Sequence, residues 1–181
     1  MSLTSQQIAT LKAFIDADIV LNAYPHDAEG AWAINELLKL PAVPEFKVWN
    51  TSVQTQVLFD AITWANMTPT DTPDGTQGWA NRSLACQGKQ FNLQTMLMGQ
   101  QSINAARVNV RTGLQDALTA IPSGVGGTNK SGGWANVQIA MQRPASVLEK
   151  LFAVGAGTPA SPATMTLETT LSYSEVQTAR G

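Results

Sequence analysis

The chain has 181 residues and a net charge of -2 with a sequence pI near 5.3, which is one domain's worth, or one domain plus an arm, and excludes a simple basic nucleic-acid binder. Apolar residues make up 44% but charged ones only 13%, about half the usual charged share, so the composition suits a subunit covered by partners. One Cys excludes a disulfide framework or a Cys-rich zinc site, and one His excludes most His-based metal centres.

In chain order, Thr4 caps a first helix and Gln7 completes a capping box, with Ile8, Leu11 and Ile15 as its stripe. Asp16 and Asp18 end this helix or cap a short second turn through Ile19–Asn22, which Pro25 stops. Asp27 is the N-cap of the next helix, with Glu29 in its first turn and Ala31, Ile34, Leu37 and Leu38 as its buried face. Pro41 and Pro44 stop it, and residues 42–50 read as extended with no partner strand evident nearby. Thr51 or Ser52 caps a third helix over 52–65, striped by Val53, Val57, Ala61 and Trp64. Asn66 to Gly75 is dense in turn formers and reads as a surface loop. Residues 77–98 read as a long helix interrupted at Gly88, and 105–121 as another on Val110, Leu114, Ala117 and Ile121.

A Gly-rich loop runs to Gly133. Trp134, Val137, Met141, Leu148, Leu151 and Phe152 mark a last long helix that either kinks at Pro144 or restarts there. A linker follows over 155–162, then a short strand around Met165 to Leu171, and Ser172 with Glu175 forms a capping box for a final short helix. The five Trp residues fall mostly on apolar stripes, where core packing is the default. The fold expected is mainly α: a helical bundle of five or six helices with long Gly/Pro-rich loops. Residues 1–154 form the helical domain, and 155–181 an extended C-terminal arm with a short terminal helix.

Little in the chain points to catalysis. Gly124 to Ser131 nearly matches the phosphate-binding loop, but Asn129 replaces its second glycine. A helical stretch precedes it where a strand is required, and Gly132-Gly133 follow where a helix should open. His26, Asp27 and Glu29 form a turn beside a helix cap and supply too few ligands for a metal. Cys86 lies in a helix interior without a catalytic signature around it, which argues against a thiol nucleophile paired with His26. No cofactor and no enzymatic activity are expected. The first residues, Met1 to Gln6, lack a basic stretch followed by an apolar one, and no apolar run approaches the ~18 residues of a membrane span.

The charge is unevenly placed. Residues 1–81 hold three basic and nine acidic side chains, net -6, and residues 82–181 hold eight basic and four acidic, net +4. Either these are ordinary solvated faces, or the acidic half of one copy meets the basic half of the next. Arg107 and Arg111 stand four apart on one helix face. With Arg82, Lys89 and Arg143 they are the candidate subunit-interface or DNA-facing residues.

Several runs carry a likeness: Leu3 to Ile15, Asp27 to Ile34, Val48 to Val53, Asn109 to Leu114, Glu149 to Ala153, Gly157-Thr158 with Pro162 to Thr164, and Leu171 to Arg180. In them the chain resembles small virion structural proteins of tailed, siphovirus-like bacteriophages. The likeness covers nearly the whole chain and consists of structural motifs. It implies a head–tail connector (adaptor) or head completion protein. Such a protein forms a homo-oligomeric ring, twelve-fold by family analogy, that docks on the portal and encloses the DNA channel. Its implied partners are the portal protein and the next neck or tail protein, with non-specific contact to packaged DNA and no membrane. Its implied location is the virion, after assembly in the host cytoplasm. A capsid-associated or tail structural protein, or a small phage-encoded binding or inhibitor module acting on a host protein, is the alternative.

Overall fold

A computed structural model of the chain describes residues 3–67, 84–122, 128–167 and 171–181. Among these residues the protein is mainly α, with nine α-helices and three two-stranded ladders. It divides into two compact units. Unit 1 is 1–48 with 144–181, and unit 2 is 49–143.

Unit 1 is built from local capping chemistry. In α1 (Ser5–Ala17), the Thr4 hydroxyl accepts the Gln7 amide and the Gln7 side chain accepts the Thr4 amide. Asp18 ends α1 and caps α2 (Ile19–Asn22), accepting the Val20 and Leu21 amides at 2.9 and 3.0 Å. Asp27 caps α3 (Ala28–Lys39) through the Gly30 amide at 2.8 Å. The stripes these caps start, Leu11 and Ile15 on α1 and Ile34 and Leu38 on α3, are fully buried, each side chain contributing about 1.5–3 kcal/mol. Further along lie β1 (Lys47–Trp49), α8 (Val147–Leu151), β5 (Ala153–Val154), β6 (Thr164–Met165) and α9 (Tyr173–Arg180).

The C-terminal residues do not form an extended arm beyond a body ending at 154. Helix α9 packs on α1 and α3, burying Val176, Ala179 and Arg180. Arg180 donates to the Tyr24 carbonyl at 2.6 Å and to the Pro25 carbonyl. The Glu175 carboxylate accepts the amides of Ser172 and Leu3, each at 2.9 Å, tying the two ends of the described chain together. The Gly157 carbonyl, at a residue with φ +67, accepts the Lys47 amide at 2.7 Å, and Gly157 lies against the Phe46 ring where a Cβ would collide.

Unit 2 departs more from the sequence expectations. The third helix is α4 (Thr55–Ala61), shorter than 52–65 and without a side-chain cap. Val53 and Gln54 form β2 instead, paired with Ile103 and Ser102 of β3 (Ser102–Ile103). Thr55 then bonds the Gln100 and Gln101 carbonyls at 2.6 and 2.9 Å, so a partner about fifty residues away sets where α4 begins. Its buried residues are Thr55 and Leu58, while Val57 is exposed.

Helix α5 (Leu84–Leu97) runs uninterrupted through Gly88 and packs on α6 (Val108–Leu118). The last long helix is two: α7 (Trp134–Ala140) and α8, separated by β4 (Gln142–Pro144) with Pro144 in the strand. Ser146 and Glu149 cap α8 with a capping box, so neither a kinked helix nor a restart at Pro144 occurs. Of the Trp residues, Trp49 is buried and Trp134 half-buried, but Trp32 and Trp64 are exposed; Trp79 lies outside the described residues.

Candidate functional site

Splitting the chain into its two units turns the charge asymmetry into a property of folded bodies. Unit 1 holds nine acidic and five basic side chains, net -4, and unit 2 four acidic and six basic, net +2.

The candidate basic residues occupy unlike settings. Arg107 is the N-cap residue of α6 and is exposed, with no side-chain cap bond. Arg111 does not share an open face with it. Its guanidinium folds back to donate to the carbonyls of Ala105 and Ala106 at 2.6 and 2.8 Å and lies 4.4 Å over the Trp49 ring. Desolvation there lowers its pKa from the ordinary arginine value, but the group stays protonated at neutral pH. Ala105, fully buried, donates to the Asn50 carbonyl at 3.0 Å, and Asn50 donates to Met141 at 2.9 Å. Arg111 thus braces the turn that joins β3 to α6.

Lys89 reaches from α5 to α6, donating to the Asp116 carbonyl at 2.5 Å with the Asp116 carboxylate at 3.4 Å. Arg143 is half-buried in β4. Arg82 lies outside the described residues. Arg107 and Arg111 are near neighbours in sequence whose side chains do different work. The fold-back of Arg111 has no sequence signal except Trp49, whose distant position gives no spacing to read.

The near-phosphate loop lies partly outside the described residues. Lys130 itself is in a bridge with Ile121, the two residues exchanging backbone bonds at 2.8 and 2.9 Å, and α7 opens at Trp134, not at the lysine. His26 is exposed in unit 1, whereas Cys86 is fully buried in unit 2. Among the described residues no three His, Cys, Asp or Glu side chains gather in a metal-sized group, and no helix is long and apolar enough to cross a membrane.

What the sequence reading missed is apolar surface. On unit 1, Phe14, Leu21, Leu37, Val147 and Leu151 line a groove of about 670 Å³, with Val20, Leu40 and Val43 on its open side. Val43 is 90% exposed and Ile19, beside the groove's Val20, is 89% exposed. On unit 2, Leu84 and Phe91 of α5 and Met98 just past its end are 86%, 64% and 67% exposed. A second cavity of unit 2, about 510 Å³, lies between Phe59, Trp64 and Met67 and the Leu93 to Met98 end of α5. The Phe59 and Trp64 rings stack there at 5.3 Å. A periodicity search credits such residues to the core, because it cannot distinguish a buried stripe from an exposed one.

No family model, curated protein or solved structure matches the chain.

Proposed function

We propose that this protein is a structural subunit of a tailed-phage virion: a head–tail connector (adaptor) that assembles as a homo-oligomeric ring on the portal and encloses the DNA channel. It acts by burying surface and has no chemistry of its own. The observation that carries the reading is the amount of large apolar side chain left in solvent on both units, with Ile19, Val43 and Leu84 each more than 80% exposed, in a chain with only 13% charged residues. Scattered single exposures are ordinary, but contiguous apolar surface beside a groove marks an interaction site. The opposite charges of the two units supply the complementarity that orients one copy on the next.

The bundle of five or six helices belongs to this reading as its fold-level expectation. The longer helices α1, α3, α5, α6 and α9 are the ones that would form the body of a ring subunit.

The test is removal of the chain from the phage that encodes it. DNA-packaged heads carrying portal but no tail are the expected product, together with recovery of the protein from wild-type particles by mass spectrometry. Normal tailed particles without the chain would overturn the reading.

A further inference from the structure

We propose that the apolar groove of unit 1 is the seat for α5 of a second copy of this chain, in a head-to-tail contact. This deepens the ring reading and rests on it, because it names the contact that would repeat around the ring.

Helix α5 is apolar on two sides. Cys86, Leu93 and Leu97 point into the unit 2 core. Leu84 and Phe91 lie on the other side, and Met98, which also borders the cavity beside Phe59, continues their spacing of seven. Seven residues fall about 20° short of two full helical turns, so the three side chains form one narrow seam about 21 Å long. Met98 stays in the helical register, donating to the Gln94 carbonyl at 2.8 Å. The positions flanking the seam are Gln87, Gly88, Gln94 and Thr95, none of them charged. At Gly88 no atom beyond the helix's own neighbouring backbone lies within 4 Å of where a Cβ would stand, so a second helix or a groove wall can approach the backbone closely. The one charged side chain of α5, Lys89, is turned towards Asp116 of α6. A seam of this spacing is what a helix presents when it packs into a partner.

The groove of unit 1 offers the concave counterpart, with Leu40 at 53% and Val20 at 58% exposure on its open side. Charge selects between the available pairings. The groove lining itself is balanced, with Asp18 and Lys150, and the seam is uncharged, so the selection comes from the units as wholes: groove against groove brings a unit of -4 to another of -4, seam against seam +2 to +2, and seam into groove +2 to -4. Only the last is attractive, and it is heterologous, so it propagates from copy to copy and closes when the rotation closes.

Cross-linking of the full chain tests this. Val43→Cys and Phe91→Cys are made singly and together; Cys86 is fully buried and does not compete. Under mild oxidation, mixing the two single variants should give a linked dimer and nothing larger. The double variant should give a ladder of dimer, trimer and higher species. Each single variant alone should stay unlinked. Dimer from Phe91→Cys alone, equal to that from the mixture, would establish seam-to-seam pairing and overturn the proposal, as would no product from the mixture. Val43→Asp and Phe91→Asp, both at exposed positions where the fold is spared, should each weaken self-association by about tenfold or more. Unchanged association in both would also overturn it. Recovery of the chain from particles is a separate readout: a chain present in the virion but unlinked here would leave the virion reading standing and remove this interface.

Discussion

Arg111→Ala should unfold unit 2 at lower denaturant, not merely detach a partner. The side chain makes two hydrogen bonds from a cation to backbone carbonyls, at 2.6 and 2.8 Å, and covers the Trp49 ring at 4.4 Å. Hydrogen bonds to a charged group contribute about 1.5–3 kcal/mol each, and a cation over an aromatic ring about 0.5–2 kcal/mol. The three contacts share one partly exposed guanidinium and are not additive, so the expected loss is about 2–4 kcal/mol. At this chain length that lowers the melting temperature by roughly 4–16 °C. Urea denaturation followed by Trp fluorescence measures it. Arg107→Ala, at an exposed cap position without a side-chain bond, should cost under about 0.5 kcal/mol. Arg111→Lys keeps the charge but not the fork, and should recover less than half of the loss. If Arg111→Ala and Arg107→Ala are equally stable and both abolish self-association, the internal brace is wrong and the paired arginines are an interface.

Gly157→Ala places a Cβ into the Phe46 ring at a positive φ and should destabilise unit 1 by about 2–4 kcal/mol; thermal denaturation within about 0.5 kcal/mol of wild type would refute the strain. Burial raises the Glu175 pKa, but hydrogen bonds from the Ser172 and Leu3 amides and the Ser172 hydroxyl outweigh it, and the net shift is downward. A lowered folded value means that the carboxylate's contribution is full above the ordinary glutamate pKa of about 4.3 and is lost as pH falls through the folded value. Glu175→Gln should therefore cost about 0.5–1.5 kcal/mol at neutral pH and flatten the acid side of the stability curve; parallel curves for the two proteins would contradict this. Lys130→Ala should leave self-association and stability unchanged and remove no nucleotide binding, since the residue's described role is the backbone bridge to Ile121; saturable ATP binding lost in this variant, measured by calorimetry, would overturn that.

What could be read in advance was local. The capping boxes at Thr4–Gln7 and Ser172–Glu175, the caps Asp18 and Asp27, and the stripes of α1 and α3 depend on residues three to seven apart, and they fold as their spacing indicates. What was not legible depends on distant partners. Val53 satisfies a helical stripe on paper, but its pairing with Ile103 draws it into a strand and delays α4 by three residues. Pro144 reads as a helix kink or a helix restart, but it is the last residue of β4. The C-terminal segment reads as an arm because its Gly/Pro content hides that Arg180 reaches the carbonyls of Tyr24 and Pro25. At the candidate site, sequence located the positive charge but not its use: Lys89 and Arg111 bind within their own unit. The exposed seam of α5 is not legible in the sequence, because the spacing of Leu84 and Phe91 suits a buried stripe as well as an exposed one.

Native mass spectrometry of the full chain, alone and mixed with portal rings of the tailed phage proposed to encode it, tests the proposed ring most directly. A closed oligomer of a single stoichiometry, about twelve copies by the family analogy and formed either alone or on the portal, is the predicted result. A protein that stays monomeric, or stops at a symmetric dimer, both with and without portal would contradict it.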